Sequence, residues 1–156
     1  MLERCKSAQE RFNGVHRLID RWLNERNDLI KAYDAVIEHQ SNPKRGPQKA
    51  FCQVLVDYVS TGHFEIYEQL YEEAKAFNDK RGLELADQIY PRIEVITQAA
   101  LKLHDRCNGK AHRPDCEKLD QEFRALGDLL DERFELEDCL IEILHNAHKQ
   151  KEAAQA

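Results

Sequence analysis

The chain has 156 residues, 33% of them charged, with only 6 Gly and 4 Pro and a formal net charge of −6. So few turn-forming residues argue against a β-rich design and for amphipathic helices in one domain, long enough to bury a core without disulfides or metal. No run nears the ~18 apolar residues of a membrane span, the start MLERCKSAQERF lacks a signal peptide's apolar stretch, and the odd set of five cysteines is no disulfide framework, which together predict a protein of the reducing cytoplasm.

The first segment runs from about Glu3 to His39, with Gly14 a weak point near its start. Val15, Ile19, Trp22, Leu29, Tyr33 and Val36 recur at helical spacing. Arg26 interrupts that stripe; it either reaches a carboxylate across a bundle or snorkels outward on a buried stem, and a single Arg favours the second. SNPKRGPQ (41–48) is a loop. A helix over about Gln48–Ser60 presents Phe51, Leu55 and Tyr58. Ser60, Thr61 and Gly62 then either end it and cap a second helix, His63–Phe77, or sit in one continuous kinked helix. In that second helix His63, Ile66, Leu70, Ala74 and Phe77 share a face. NDKRG (78–82) is the next turn. Leu83–Cys107 keeps its repeat through Ala86, Ile89, Ile93, Ile96, Ala100 and Leu103, with Pro91 bending or dividing it.

After a polar connection over 107–116, with Asp115 as cap, the last segment carries Leu119, Phe123, Leu126, Leu130, Leu140, Leu144 and Ala147 on one seam. Arg133 and Glu137 occupy that seam too, one turn apart, where they can satisfy each other as a pair at the edge of the core. Asp128, Asp131, Glu135, Asp138 and Glu142 form an acidic ridge on the opposite side. The prediction is all-α: an antiparallel bundle of four long helical segments, some kinked or broken, spanning 1–149, with a frayed tail over 150–156. Residues 114–156 alone carry −7. That disfavours direct nucleic-acid binding, which needs a basic stripe, and suits a basic protein partner.

Chemistry-bearing patterns are few. One E-x-x-H, Glu142 to His145, falls short of the paired motifs of a di-metal bundle. His104, Cys107, His112 and Cys116 have a spacing compatible with zinc, but three basic residues crowd the segment and coincidence is the better reading. His145 and His148 read as a surface pair without a role, and Cys52 and Cys139 as buried spectators, with no basic neighbour to activate them. Ser60 and His63 have no nucleophile elbow, and phosphate-binding loops are absent. Neither an enzyme nor a cofactor is indicated.

Four blocks, LIDRWLNER (18–26), FCQVLVDYVSTGHFEIYEQL (51–70), QIYPRIE (88–94) and ERFELEDCLIE (132–142), resemble the Rsd/AlgQ family of bacterial anti-sigma factors, its AlgQ branch most closely. The resemblance runs from the first helix to about His148 and is weakest at the 40–50 loop and the 107–116 connection. It implies a helical-bundle protein that binds region four of the primary sigma factor of RNA polymerase, the helix-turn-helix that reads the −35 element. Bound there, such a protein inhibits or redirects transcription. The family's sigma-binding block maps onto residues 57–64, making Asp57, Ser60 and Phe64 contact residues, with His63 beside them and Gly62 shaping the backbone. Asp20 and Asp138 face outward as further contacts. Trp22, Arg26, Arg133, Phe134 and Glu137 build the bundle and its polar centre, with Arg133 and Glu137 left open between core and interface. A monomer forming a one-to-one complex is expected. The alternatives are a metal- or cofactor-binding bundle and a general signalling adaptor.

Overall fold

A computed structural model describes residues 8–38, 46–108 and 116–148, and the side chains of 12–38, 47–106 and 120–148. Helix α1 spans Ala8–Glu38, running straight through Gly14. Helix α2 (Gly46–Thr61) passes through a π turn (Gly62–Ile66) directly into α3 (Tyr67–Ala76). Helix α4 (Lys80–Asn108) and α5 (Cys116–Ile141) follow, and a second π turn (Glu142–Asn146) extends α5. Among the described residues there is no strand. The all-α expectation stands, and the open question at Gly62 resolves as one continuous helical rod.

Helix α1 packs on α2, α2 on α4 and α4 on α5. The ring closes loosely between α1 and α5, leaving an open groove of about 260 Å³ there. The predicted stripes point inward: Val15, Ile19, Trp22, Leu29 and Val36 meet Phe51, Leu55 and Tyr58, and Ile93, Ile96 and Ala100 face the last segment's Phe123, Leu126, Leu130, Leu140 and Leu144. Most helical stability in a protein comes from packing an apolar face, and each large apolar side chain buried adds about 1.5–3 kcal/mol. No helix among the described residues is long and apolar enough to cross a membrane.

The reversal between α3 and α4 is shorter than the expected 78–82 turn. Asn78 takes the left-handed conformation (φ 58°). Its amide donates to the Lys75 carbonyl and that of Asp79 to Ala74, which satisfies the orphan carbonyls of α3. Asp79 then caps α4, its Oδ1 accepting from the Gly82 amide at 2.9 Å. A Cβ at residue 82 would lie 2.4 Å from the Asp79 carboxylate, so only glycine lets the cap fold over. Pro91 neither ends nor divides α4. It and Asp87 one turn earlier both face solvent, where the lost backbone bond costs least.

The two π turns set the register of everything after them. Each takes up one more residue than an α turn, rotating the following side chains by roughly one position. In the α2–α3 rod the buried positions run Phe51, Leu55, Tyr58, Gly62, Ile66, Leu70, Ala74 and Phe77, while His63, Phe64 and Glu65 are all exposed. His63 therefore leaves the shared inner face expected of it. At the end of α5 the same shift turns Ala147 outward and brings His145 and His148 inside, so the expected surface pair is buried. Cys52 is buried as expected, but Cys139 is exposed, beside the outward ridge that Asp128, Asp131, Glu135, Asp138 and Glu142 do form. The 41–45 part of the loop, the 109–115 connection and the 150–156 tail lie outside the described residues.

Candidate partner-binding site

Arg133 and Glu137 are both 0% exposed, which places the pair in the core rather than at its edge or at an interface. A buried carboxylate is tolerable only if hydrogen-bonded and paired. Here the Tyr58 hydroxyl donates to Glu137 Oε1 at 2.7 Å and the Tyr67 hydroxyl approaches Oε2 at 3.1 Å. Arg133 Nη2 donates to the Tyr67 oxygen at 3.0 Å, and its Nε stands 3.7 Å from Glu137 Oε2. Burial pushes the Glu137 carboxyl up, against the pull of Arg133, Tyr58 and Arg26. Burial and the Glu137 charge together raise both phenols far above the ordinary tyrosine range, so they remain donors.

Arg26 does not snorkel. Its Nε donates to the Tyr58 hydroxyl at 3.1 Å and its Nη1 to Asp138 Oδ1 at 2.7 Å, with Glu137 Oε1 3.5 Å from Nη2. Its guanidinium also lies over the Phe134 ring, 4.9 Å from the centroid. The stripe alone favours snorkelling because the partners that hold Arg26 inside, Tyr58 and Glu137, sit on other helices. Trp22 stacks on Tyr58 with centroids 5.0 Å apart, and its indole N–H donates to the Tyr58 carbonyl at 3.3 Å.

This buried network supports the first π turn from below. A Cβ at Gly62 would come 3.0 Å from Trp22 and 3.5 Å from Arg133 Nη2, so the missing side chain is what allows the rod to settle on the polar centre. Gly62 is buried, hence unavailable as a contact residue. Above it Phe64 is 69% exposed, the most exposed large apolar side chain among the described residues. The His63 ring touches Phe64 edge-on, and its Nδ1 lies 3.0 Å from the Tyr90 hydroxyl. On the α4 side, a groove of about 280 Å³ is lined by Val59, Ser60, His63, Phe64, Tyr67, Tyr90, Ile93 and Glu94, among others. On the α1 side, Asp57 shares a shallower groove with Glu25 and Asp28. Burial pushes the Glu25 carboxyl up, the Thr61 hydroxyl pulls it back, Glu65 and Asp57 raise it further, and Arg21 opposes them.

Asp57, Ser60, His63 and Phe64 therefore share one outer surface of the α2–α3 rod. Asp20 is exposed on α1, 3.7 Å from His16, and Asp138 is exposed on α5, held by Arg26. The sequence pattern does not single out Glu25, Asp28, Glu65, Tyr90 and Glu94 around this surface; the i, i+3 spacing of Glu25 and Asp28 is the available signal, Glu65 is exposed by the π turn, and Tyr90 and Glu94 arrive with the packing of α4. No group of three metal-ligating side chains is assembled among the described residues. His104 pairs with Asp105 at 3.6 Å, while the side chains of Cys107, His112 and Cys116 lie outside the described residues.

Sequence comparison supplies the class to which this helical bundle belongs. Residues 1–145 match the family described as regulator of RNA polymerase sigma(70) subunit, Rsd/AlgQ. The Regulator of sigma D of Yersinia enterocolitica is 35% identical over 151 residues, covering 91% of this chain and 89% of its own. Proteins of the same name from Yersinia pseudotuberculosis and Enterobacter sp. (strain 638) are each 36% identical, covering 91% and 90% of this chain and 88% of their own. This chain belongs to the Rsd/AlgQ family.

Proposed function

We propose that this protein is a cytoplasmic anti-sigma factor that binds region four of the primary sigma factor, as a monomer in a one-to-one complex, and catalyses no reaction. The observation that carries the reading is Phe64: a large aromatic side chain left 69% exposed on a π turn, lining the groove toward α4. π turns are frequent at functional sites, and exposed aromatics ringed by polar groups are typical binding anchors. A −35-reading helix-turn-helix carries basic residues for DNA phosphates, and Asp57, Glu25, Asp28 and Glu65 offer competing negative charge. The acidic ridge on α5 and the α1/α5 groove, rimmed by Asp34, Asp128 and Asp131, add a field that steers a basic partner. Asp57, Ser60, His63 and Phe64 make the primary contacts, with Asp20 and Asp138 peripheral.

The test is the affinity for a purified region-four domain. Phe64→Ala is expected to weaken binding by about 30-fold, as for a hot-spot anchor near 2 kcal/mol, and Asp57→Ala by a smaller factor, both with unchanged helicity. Unaltered affinity in both variants would move the interface elsewhere.

A further inference from the structure

At the far end of the bundle a second buried polar cluster plays no part in the proposed docking surface. Glu73 on α3 is 0% exposed and faces two buried histidines from the end of α5. Its Oε1 lies 2.6 Å from His145 Nδ1, and its Oε2 lies 2.9 Å from His148 Nδ1. The other nitrogens have different partners. His145 Nε2 is 3.0 Å from His16 Nδ1 on α1, whose own ring stands 3.7 Å from Asp20. His148 Nε2 is 2.8 Å from Asp79 Oδ2, in the turn before α4. Phe12 stacks on His145 with centroids 4.0 Å apart and Phe77 on His148 at 4.4 Å, so both rings are roofed by apolar surface.

Donor and acceptor accounting separates the two histidines. Between His145 Nε2 and His16 Nδ1 one shared proton makes a complete hydrogen bond, so His145 can be neutral. His148 has no such freedom. Both of its nitrogens meet carboxylate oxygens, which when ionised can accept but not donate, and a neutral imidazole carries one N–H. The Gly82 amide donates to the other oxygen of Asp79, which favours its ionised form. A neutral His148 would leave a nitrogen lone pair of a buried ring facing a carboxylate lone pair, which is costly.

We infer that His148 is held as an imidazolium between Glu73 and Asp79, and that this proton latches the end of α5 to the α3–α4 turn, loosening as the medium turns alkaline. Burial alone lowers the His148 pKa, but hydrogen bonds to Glu73 and Asp79 and their charges outweigh it and raise it above the ordinary histidine value. A folded-state value above the unfolded one gives a stabilisation fully present below about pH 6.5 and lost as pH rises through the folded value. The latch thus favours neutral and acidic conditions.

Nitrogen-detected NMR of the imidazoles in the intact chain tests this directly. At about pH 7, above the ordinary histidine value, His148 is expected to show both nitrogens protonated; one bare nitrogen at that pH would overturn the inference. Asp79→Asn supplies a second reading, because the amide oxygen still caps Gly82 while the amide nitrogen can donate to a bare His148 Nε2. The thermal midpoint of the unmodified protein is expected to fall as pH rises above about 6.5, and that of Asp79→Asn to stay flatter. Equal slopes in the two proteins would refute the latch.

Discussion

The two π turns are the same backbone device put to opposite use. The one at Gly62–Ile66 extrudes three consecutive side chains, His63, Phe64 and Glu65, from a rod that stays buried on its other face. The one at Glu142–Asn146 rotates His145 and His148 inward, where they meet Glu73. Local geometry alone therefore does not make a site. What differs is the chemistry underneath: the first turn rests on a centre of arginines and tyrosines closed by Gly62, and the second on a carboxylate that two imidazoles share. Arginine keeps its charge at any pH the chain meets, and histidine does not. One turn is thus supported by fixed charge and the other by a titrating one.

The largest expected effect falls on the inward turn. Glu73→Leu removes the acceptor for two buried imidazoles and should cost about 3–5 kcal/mol in urea unfolding, in line with breaking a buried ion pair. A loss no larger than that of a surface change would mean the clasp is ornamental. Next comes the floor of the outward turn. Gly62→Val forces a branched side chain against Trp22 and is expected to destabilise by about 1–3 kcal/mol, also read in urea. Deleting Glu65 sharpens the contrast further. Removal of one exposed residue converts the π turn into an α turn without changing which face of α3 is buried. Stability should stay within about 1 kcal/mol while sigma affinity falls roughly tenfold, because Phe64 is re-aimed. Retained affinity would show that the bulge is not what presents the aromatic. The smallest effect is that of salt: raising ionic strength should weaken binding modestly, since exposed carboxylates are screened over about 8 Å at physiological ionic strength.

Much of this architecture is legible in the residues. Periodicity places the stripes of Trp22, Phe51, Ile93 and Phe123 in the core, and Arg133 and Glu137 on an apolar seam point to a charged pair at its edge, which the structure instead buries completely as a polar centre. The partners of that centre are not legible, because Tyr58, Tyr67 and Arg26 approach it from other helices and only the packing brings them within hydrogen-bond reach. The π turns are equally hidden. A single added residue per turn fits both a broken helix and a kinked one until the faces on either side are fixed, and this is why His63 was expected inside and His148 outside. Cys139 is a different kind of miss: two positions after Glu137, a helix has already rotated to the solvent side, so the pattern itself argued for exposure. At the proposed docking surface, the block 57–64 stands out by resemblance, whereas Glu25 and Tyr90 join it only through the neighbouring helices.

The central claim is that Asp57, Ser60 and Phe64 on the outer face of the α2–α3 rod form the seat of the partner. It is tested most directly by titrating unlabelled region four of the primary sigma factor into isotope-labelled protein and following the backbone amides by NMR. The account predicts the largest shifts at 57–65 and along the facing residues Tyr90–Leu101 of α4. Saturable binding that leaves those amides unmoved and perturbs another face, or no binding at all, would contradict it.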